Sequence, residues 1–205
     1  MTTLPTGFTA STDQALPLYV LDTTTFAAWR DGQSAAVAAY LAATDFVAAA
    51  GSVALIPGEH GVAAAVIGVG ERTDAYAYAH APFALPAGST WQLASADTDA
   101  DLLALGWGLG SYRFERYRKP ARAPALLAAT PSAETAAIIS ACCQVRDLVH
   151  TPAQDMGPQQ LEDAVRDLAR AHGGQVQVFA GDELLAHNFP TIHAVGRASH
   201  RAPRL

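Results

Sequence analysis

The chain has 205 residues, half of them hydrophobic and 16% charged, with a net charge of −6 at pH 7. That balance is globular rather than disordered, and the length suits one large domain or one and a half ordinary ones. The acidic balance argues against a nucleic-acid surface as the main purpose, because phosphate binding needs clustered Lys and Arg. With Lys119 the only lysine beside twelve arginines, the chain counts against a site that needs two lysines.

After a polar leader, Leu16 to Leu21 (LPLYVL) reads as a first strand. Asp22 and Thr23 are placed to cap a helical segment in which Phe26 and Trp29 stand three apart. Gly32 breaks it, and Ser34 to Ala50 reads as an alanine-rich helix carrying Val37, Tyr40, Leu41 and Phe46. Ser52 to Ile56 and Val62 to Val69 are apolar runs split by Pro57-Gly58-Glu59-His60-Gly61, which suits a hairpin or loop. Gly68-Val69-Gly70 lacks the third glycine of a nucleotide loop and reads as a strand-exit turn. Pro82 and Pro86 limit any helix in the aromatic segment Asp74 to Leu85, and Thr90 to Ala94 is another strand.

Asp97 or Asp99 opens a helix expected from about Ala100 to Lys119. It contains Gly106, Gly108 and Gly110, each costing about 1 kcal/mol relative to alanine. Gly106 and Gly110 share one ridge, so another backbone is expected to approach there. Arg113, Arg116, Arg118 and Lys119 read as a solvated helix end that suits the dipole, with a phosphate or nucleic-acid patch as the lesser reading.

Ala125 to Ala129 is either a linker or a strand, and the domain boundary is placed near residue 125. Thr130 and Pro131 start a helix that keeps a 3.6-residue apolar period through Ile138, Ala141, Cys142, Val145, Leu148 and Val149, until Pro152 stops it. The adjacent Cys142 and Cys143 read as reduced, packed thiols. Pro158 opens a second helix with an apolar stripe through Leu161, Ala164, Val165, Leu168 and Ala169, closed by Gly173-Gly174. Gln175 to Phe179 alternates at period two and predicts a strand. A short helix at Glu183 to His187, closed by a left-handed Asn188, and a segment from Thr191 to about Ser199 finish the chain.

Three separated motifs then carry a resemblance. His150-Thr151-Pro152-Ala153-Gln154-Asp155-Met156 with Pro158 and Leu161, Asn188-Phe189-Pro190, and Val195-Gly196-Arg197-Ala198-Ser199 with Pro203-Arg204-Leu205 occur in order. Together they resemble the opening of the catalytic domain of the cytosol (leucyl) aminopeptidase family. Leu109 to Phe114 is similar to the segment that closes that family's N-terminal domain. His150 and Gln154 stand where the family usually has Asn, a departure that touches the local turn bonds.

The resemblance implies an α/β protein, with a three-layer domain of macro-domain type over 1–125 and the first helices and strand of a metallopeptidase domain over 126–205. It implies a two-metal enzyme, zinc or manganese, that releases N-terminal residues from peptides as a cytoplasmic hexamer. The family's metal ligands and its catalytic Lys and Arg belong to motifs beyond the matched segment. No catalytic, substrate-binding or metal residue is therefore assigned here, and the chain alone is expected to hold no cofactor and to be inactive. His60, His80, His150, His172, His187, His193 and His200 lack H-E-x-x-H spacing, there is no G-x-S-x-G, and His150 with Asp155 reads as a turn-fixing pair. The N-terminus shows no secretory signal and no apolar run reaches a membrane span, so a soluble cytoplasmic protein is expected. The alternative from another class is a non-catalytic α/β module that binds a nucleotide-like ligand or nucleic acid.

Overall fold

The computed structural model describes residues 3–119 and 122–205. By internal contacts the chain divides into two compact units, Met1–Gln144 and Val145–Leu205.

The first unit is built on a six-stranded sheet. Its strands are β1 (Phe8–Thr9), β2 (Leu16–Asp22), β3 (Val53–Gly58), β4 (Gly61–Gly70), β5 (Thr90–Leu93) and β6 (Leu126–Ala128), in the order β1-β6-β5-β2-β4-β3. All neighbouring pairs are parallel except β3 with β4, the hairpin expected from the Pro-Gly punctuation. Strands inside a parallel sheet are covered on both faces and so read as continuous apolar runs. In β4 every residue from Ala64 to Gly70 is buried.

Alternate residues of these strands feed two separate cores. Leu18, Val20, Ala65, Ile67 and Val69 join Trp91, Leu127 and the helical residues Leu103, Trp107 and Ile139. Leu21, Ala64 and Val66 join Phe26, Leu41, Phe46, Ala54 and Ile56. Helices α1 (Thr25–Asp31) and α2 (Ala35–Ala43) therefore cover one face. The other is covered by α3 (Ala81–Ala84), α4 (Ala100–Ser111) and the first half of α5 (Ala133–His150). This is a three-layer α/β/α arrangement.

Several expected boundaries move. The alanine-rich helix ends at Ala43 rather than Ala50, because Asp45 and Ala48 take positive φ (50° and 54°) and the chain folds back to bury Phe46 and Ala48. Helix α4 ends at Ser111 rather than Lys119. Its last turn is weakened by Gly108 and Gly110, Tyr112 is extended (ψ 134°), and the Arg113 guanidinium stacks 3.4 Å from the Phe83 ring centroid. The arginine cluster consequently lies in a loop, not on a helix end. The segment near 125 is a strand inside the first unit: Leu127 pairs with both Phe8 and Trp91, and Ala125 is fully buried. Residues 126–144, read from sequence as the start of the second domain, belong by contact to the first unit.

The second unit starts within α5 and continues through α6 (Pro158–His172), α7 (Glu183–Ala186) and α8 (Pro190–Gly196). Helix α6 has the predicted bounds, with Gly173 left-handed at its end (φ 69°), and Asn188 is left-handed as expected (φ 66°). The strand predicted at 175–179 does not form a ladder. Among the described residues, 175–178 make no backbone hydrogen bond, and pairing begins only where Phe179 exchanges two bonds with Leu205 at 2.9 and 3.0 Å. A strand needs a neighbour on at least one edge, and residues 175–178 have none.

The close approach expected at the α4 glycines is present. A Cβ on Gly106 would stand 2.0 Å from the Ala75 carbonyl oxygen, and one on Gly110 2.1 Å from that of Ala79. Both obstacles are backbone. Gly106→Ala should thus lose stability by roughly 1–3 kcal/mol despite the better helix propensity of alanine. Urea unfolding read by tryptophan fluorescence checks this, since Trp29, Trp91 and Trp107 all lie in the first unit; an unchanged or raised midpoint would contradict the packing described.

Candidate functional site

A sizeable concavity lies in each unit. In the first unit the parallel strands β2, β4 and β5 end side by side, and their exits surround a crevice of about 660 Å³. Asp22, at the end of β2, accepts from the backbone N–H of Thr24 (2.7 Å) and Thr25 (2.6 Å) and from both hydroxyls. The Thr24 hydroxyl bond and the Thr25 backbone bond are the main reasons its carboxyl is held down at about 2. Asp99 caps α4 by accepting from Leu102 N at 3.0 Å. Ser95 Oγ accepts from Val20 N (2.8 Å), which ties the exit of β5 to β2. Tyr19 and Trp29, with ring centroids 5.0 Å apart, both line the crevice.

In the second unit the three motif segments meet. Arg201 donates to the carbonyls of Ala153 and Gln154, both at 2.6 Å, and so holds the loop after α5. That loop turns through Asp155 N and Met156 N, which donate to Pro152 O at 2.8 and 2.9 Å. Gly196 lies against Pro203, where a Cβ would come within 2.3 Å of the proline Cβ. Phe179 stacks on His187 (centroids 4.0 Å apart) and contacts Phe189 (5.9 Å).

Beside this junction runs an open apolar groove of about 910 Å³. Its walls include Leu161 and Val165 from α6, Val176 and Val178 from the unpaired stretch, and Ile192 and Val195 from α8. Leu161 is 51% exposed and Val195 86%.

The charged groups at the groove are already engaged. Glu162 accepts from Arg166 (2.7 Å) and Arg204 (2.6 Å). The Arg166 hydrogen bond first, then the charges of Arg204 and Arg166, hold its carboxyl below the usual range against a desolvation that raises it. Arg204 Nε is buried without a partner. The other carboxylates are dispersed: Asp163 accepts from Gln159 (2.8 Å), Asp167 from Arg170 (2.6 Å), Glu183 from Ala180 N (3.1 Å), and Asp182 faces His193 (3.1 Å). Among the described residues no three His, Cys, Asp or Glu side chains stand close enough to hold one metal ion.

Sequence reasoning placed Glu162 at a helix start and did not single out Arg201 or Arg204 for a contact. Their partners lie 42 to 48 residues away, so no local spacing reveals them. The arginine loop is similarly committed to structure. Arg113 stacks on Phe83, and Arg122 donates to the carbonyls of Phe83 and Leu85.

The N-terminal domain of M17 aminopeptidases matches residues 16–130, and the catalytic domain of the cytosol aminopeptidase family matches residues 143–205. The chain is 32% identical over 200 residues to a probable cytosol aminopeptidase of Leifsonia xyli, covering 86% of this chain and 39% of that protein. It is 29% identical to one of Streptomyces griseus, covering 85% and 42%. The structure superposes on the cytosol aminopeptidase of Coxiella burnetii with a TM-score of 0.84 at 30% identity, over 95% of this chain and 44% of that one. The bottromycin maturation enzyme BotP matches with a TM-score of 0.72 at 29% identity, over 92% and 44%. The chain thus spans about two fifths of the length of these relatives.

One titratable group in the first unit gives a pH signature. Burial lowers the pKa of His80 below 6.5, opposed by backbone bonds at Ser52 and Ala77, and its Nε2 is buried without a partner. A folded pKa below the unfolded value means that the stability contribution is present above pH 6.5 and is lost as pH falls through the lowered value. The urea midpoint of the first unit should fall as pH drops from neutral toward 5, and His80→Leu should flatten that decline. A wild-type midpoint that rises in this window would contradict a neutral buried imidazole.

Proposed function

Because the chain belongs to the M17 cytosol aminopeptidase family, we propose that it is the N-terminal domain and the opening of the catalytic domain of a two-metal aminopeptidase. The observation that carries this is the order of the two family matches, 16–130 then 143–205, on a fold that follows the Coxiella enzyme over 95% of the chain. The complete protein removes N-terminal residues from peptides in the cytoplasm, as a hexamer. A bound pair of divalent ions, zinc or manganese, would activate water and polarise the scissile carbonyl.

The side chains present do not fit that metal pair. A pair needs converging carboxylates and, in this family, a lysine, whereas Glu162, Asp163, Asp167, Asp182 and Glu183 each face a separate partner and no lysine follows Lys119. What these residues do is shape: Arg201 and the Gly196–Pro203 contact hold the loop and turn that open the catalytic domain. No helix among the described residues is long and apolar enough to cross a membrane, which is compatible with the cytoplasmic reading.

The occupant proposed for the apolar groove is the remainder of such a catalytic domain. Residues 175–178 offer unpaired backbone, and the relatives are more than twice as long as the matched region. Full burial would stabilise Val195, 86% exposed, by about 1.5–3 kcal/mol, and the half-exposed Leu161 and Val165 by roughly half as much each. Left open, such a face drives association. Light scattering should show the chain associating as concentration rises, and Leu161→Glu with Val195→Glu should shift it toward monomer. A monodisperse monomer at every concentration would speak against the groove as an uncovered interior face.

Incubated with zinc or manganese, the chain should hydrolyse leucyl p-nitroanilide no faster than buffer and bind no stoichiometric pair of ions. Chelator-sensitive release of p-nitroaniline with two tightly bound metals per chain would overturn the reading.

A further inference from the structure

We infer that the crevice at the carboxyl ends of β2, β4 and β5 binds a small zwitterion, a free α-amino acid or a dipeptide, through its α-ammonium and carboxylate groups. The place is set by topology. Strand β2 hands the chain to α1 on one face, and β5 hands it to α4 on the other, so the crevice opens where the connections diverge. Open parallel sheets bind ligands at such a switch point. The volume, about 660 Å³, falls in the range of small-molecule sites.

The chemistry follows from which groups are spent and which are not. A phosphate at a strand end would use the backbone N–H groups that open the next helix. Here the Asp22 carboxylate takes those of Thr24 and Thr25, and Asp99 takes that of Leu102. The protein's own anions occupy both positions, which disfavours a nucleotide's phosphates. Three other charged groups on the crevice, Glu71, Arg72 and Asp97, are exposed and have no side-chain hydrogen bond or ion pair among the described residues. Two are carboxylates and one is a guanidinium. The half-buried Tyr19–Trp29 pair lines the same crevice. Carboxylates beside an aromatic face suit an ammonium group, and a guanidinium suits a carboxylate. A ligand with both charges a few bonds apart matches this set, and neither a polyphosphate nor a simple cation does.

The inference stands apart from the peptidase reading, since it is tested by binding and not by turnover. Isothermal titration of the purified chain with L-leucine and with L-leucylglycine should show saturable binding by at least one of them. If only the dipeptide binds, peptides are the source of the ligand; if leucine binds alone, free amino acids are. Arg72→Ala and the pair Glu71→Gln with Asp97→Asn should each weaken binding about tenfold or more. Putrescine, which lacks a carboxylate, should bind more weakly than either ligand. All three positions are exposed, and circular dichroism verifies that the variants keep the fold. Absence of saturable binding up to roughly 10 mM, binding that survives Arg72→Ala, or tighter binding of AMP than of both zwitterions would each overturn the inference.

Discussion

The first unit depends on burying the central strands β2 and β4 on both faces. Leu18, Val20, Ala65 and Ile67 face one core, while Leu21, Ala64 and Val66 face the other. Period-two side-chain direction makes this obligatory once both faces are covered, and a slip of one residue would exchange the two sets. The layers follow from it. Helix α4 comes close enough to close one face only because Gly106 and Gly110 leave room for the carbonyls of Ala75 and Ala79. Helix α1 seats Phe26 on the opposite face. The crevice is the consequence at the strand ends, where α1 and α4 depart to opposite sides.

The second unit lacks this closure. Its amphipathic helix α6 has no buried residue, and the stretch that alternates like a strand has no partner before Phe179. The local joints are nevertheless specific: Arg201 on two carbonyls, Gly196 against Pro203, Phe179 among His187, Phe189 and Leu205. Local order with an open apolar groove is the pattern of part of a larger core. This agrees with a chain that spans about two fifths of its relatives.

Much of the fold was legible wherever a local rule decides. The first strand, the hairpin over 53–70, helix α6 with its glycine cap and the left-handed Asn188 all rest on period, turn residues or caps within a few positions. The glycine ridge of α4 was legible for a related reason, since three glycines in a helix demand compensation. Misplacements occurred where tertiary contacts override propensity. An alanine run through Ala50 looks helical, but burying Phe46 and Ala48 turns the chain at Asp45. The strand at 126–128 was ambiguous because three residues carry no period. The strand at 175–179 has the right alternation, yet a strand is a property of a pair. Of the sites, Asp22 was legible as a cap, while the unspent charges of the crevice were not, because Glu71, Arg72 and Asp97 come together only through the strand order.

The central claim is that a sheet domain buried on both faces is followed by a segment matching the opening of the cytosol aminopeptidase family's catalytic domain. Residue-resolved amide hydrogen exchange on the intact chain tests it most directly. The account predicts slow, globally limited exchange across Leu18–Leu21 and Ala64–Val69, and exchange near the unprotected rate at residues 175–178. Protection at 175–178 equal to that of β4 in a monomeric sample would contradict it, because it would mean that the second unit already completes its own sheet.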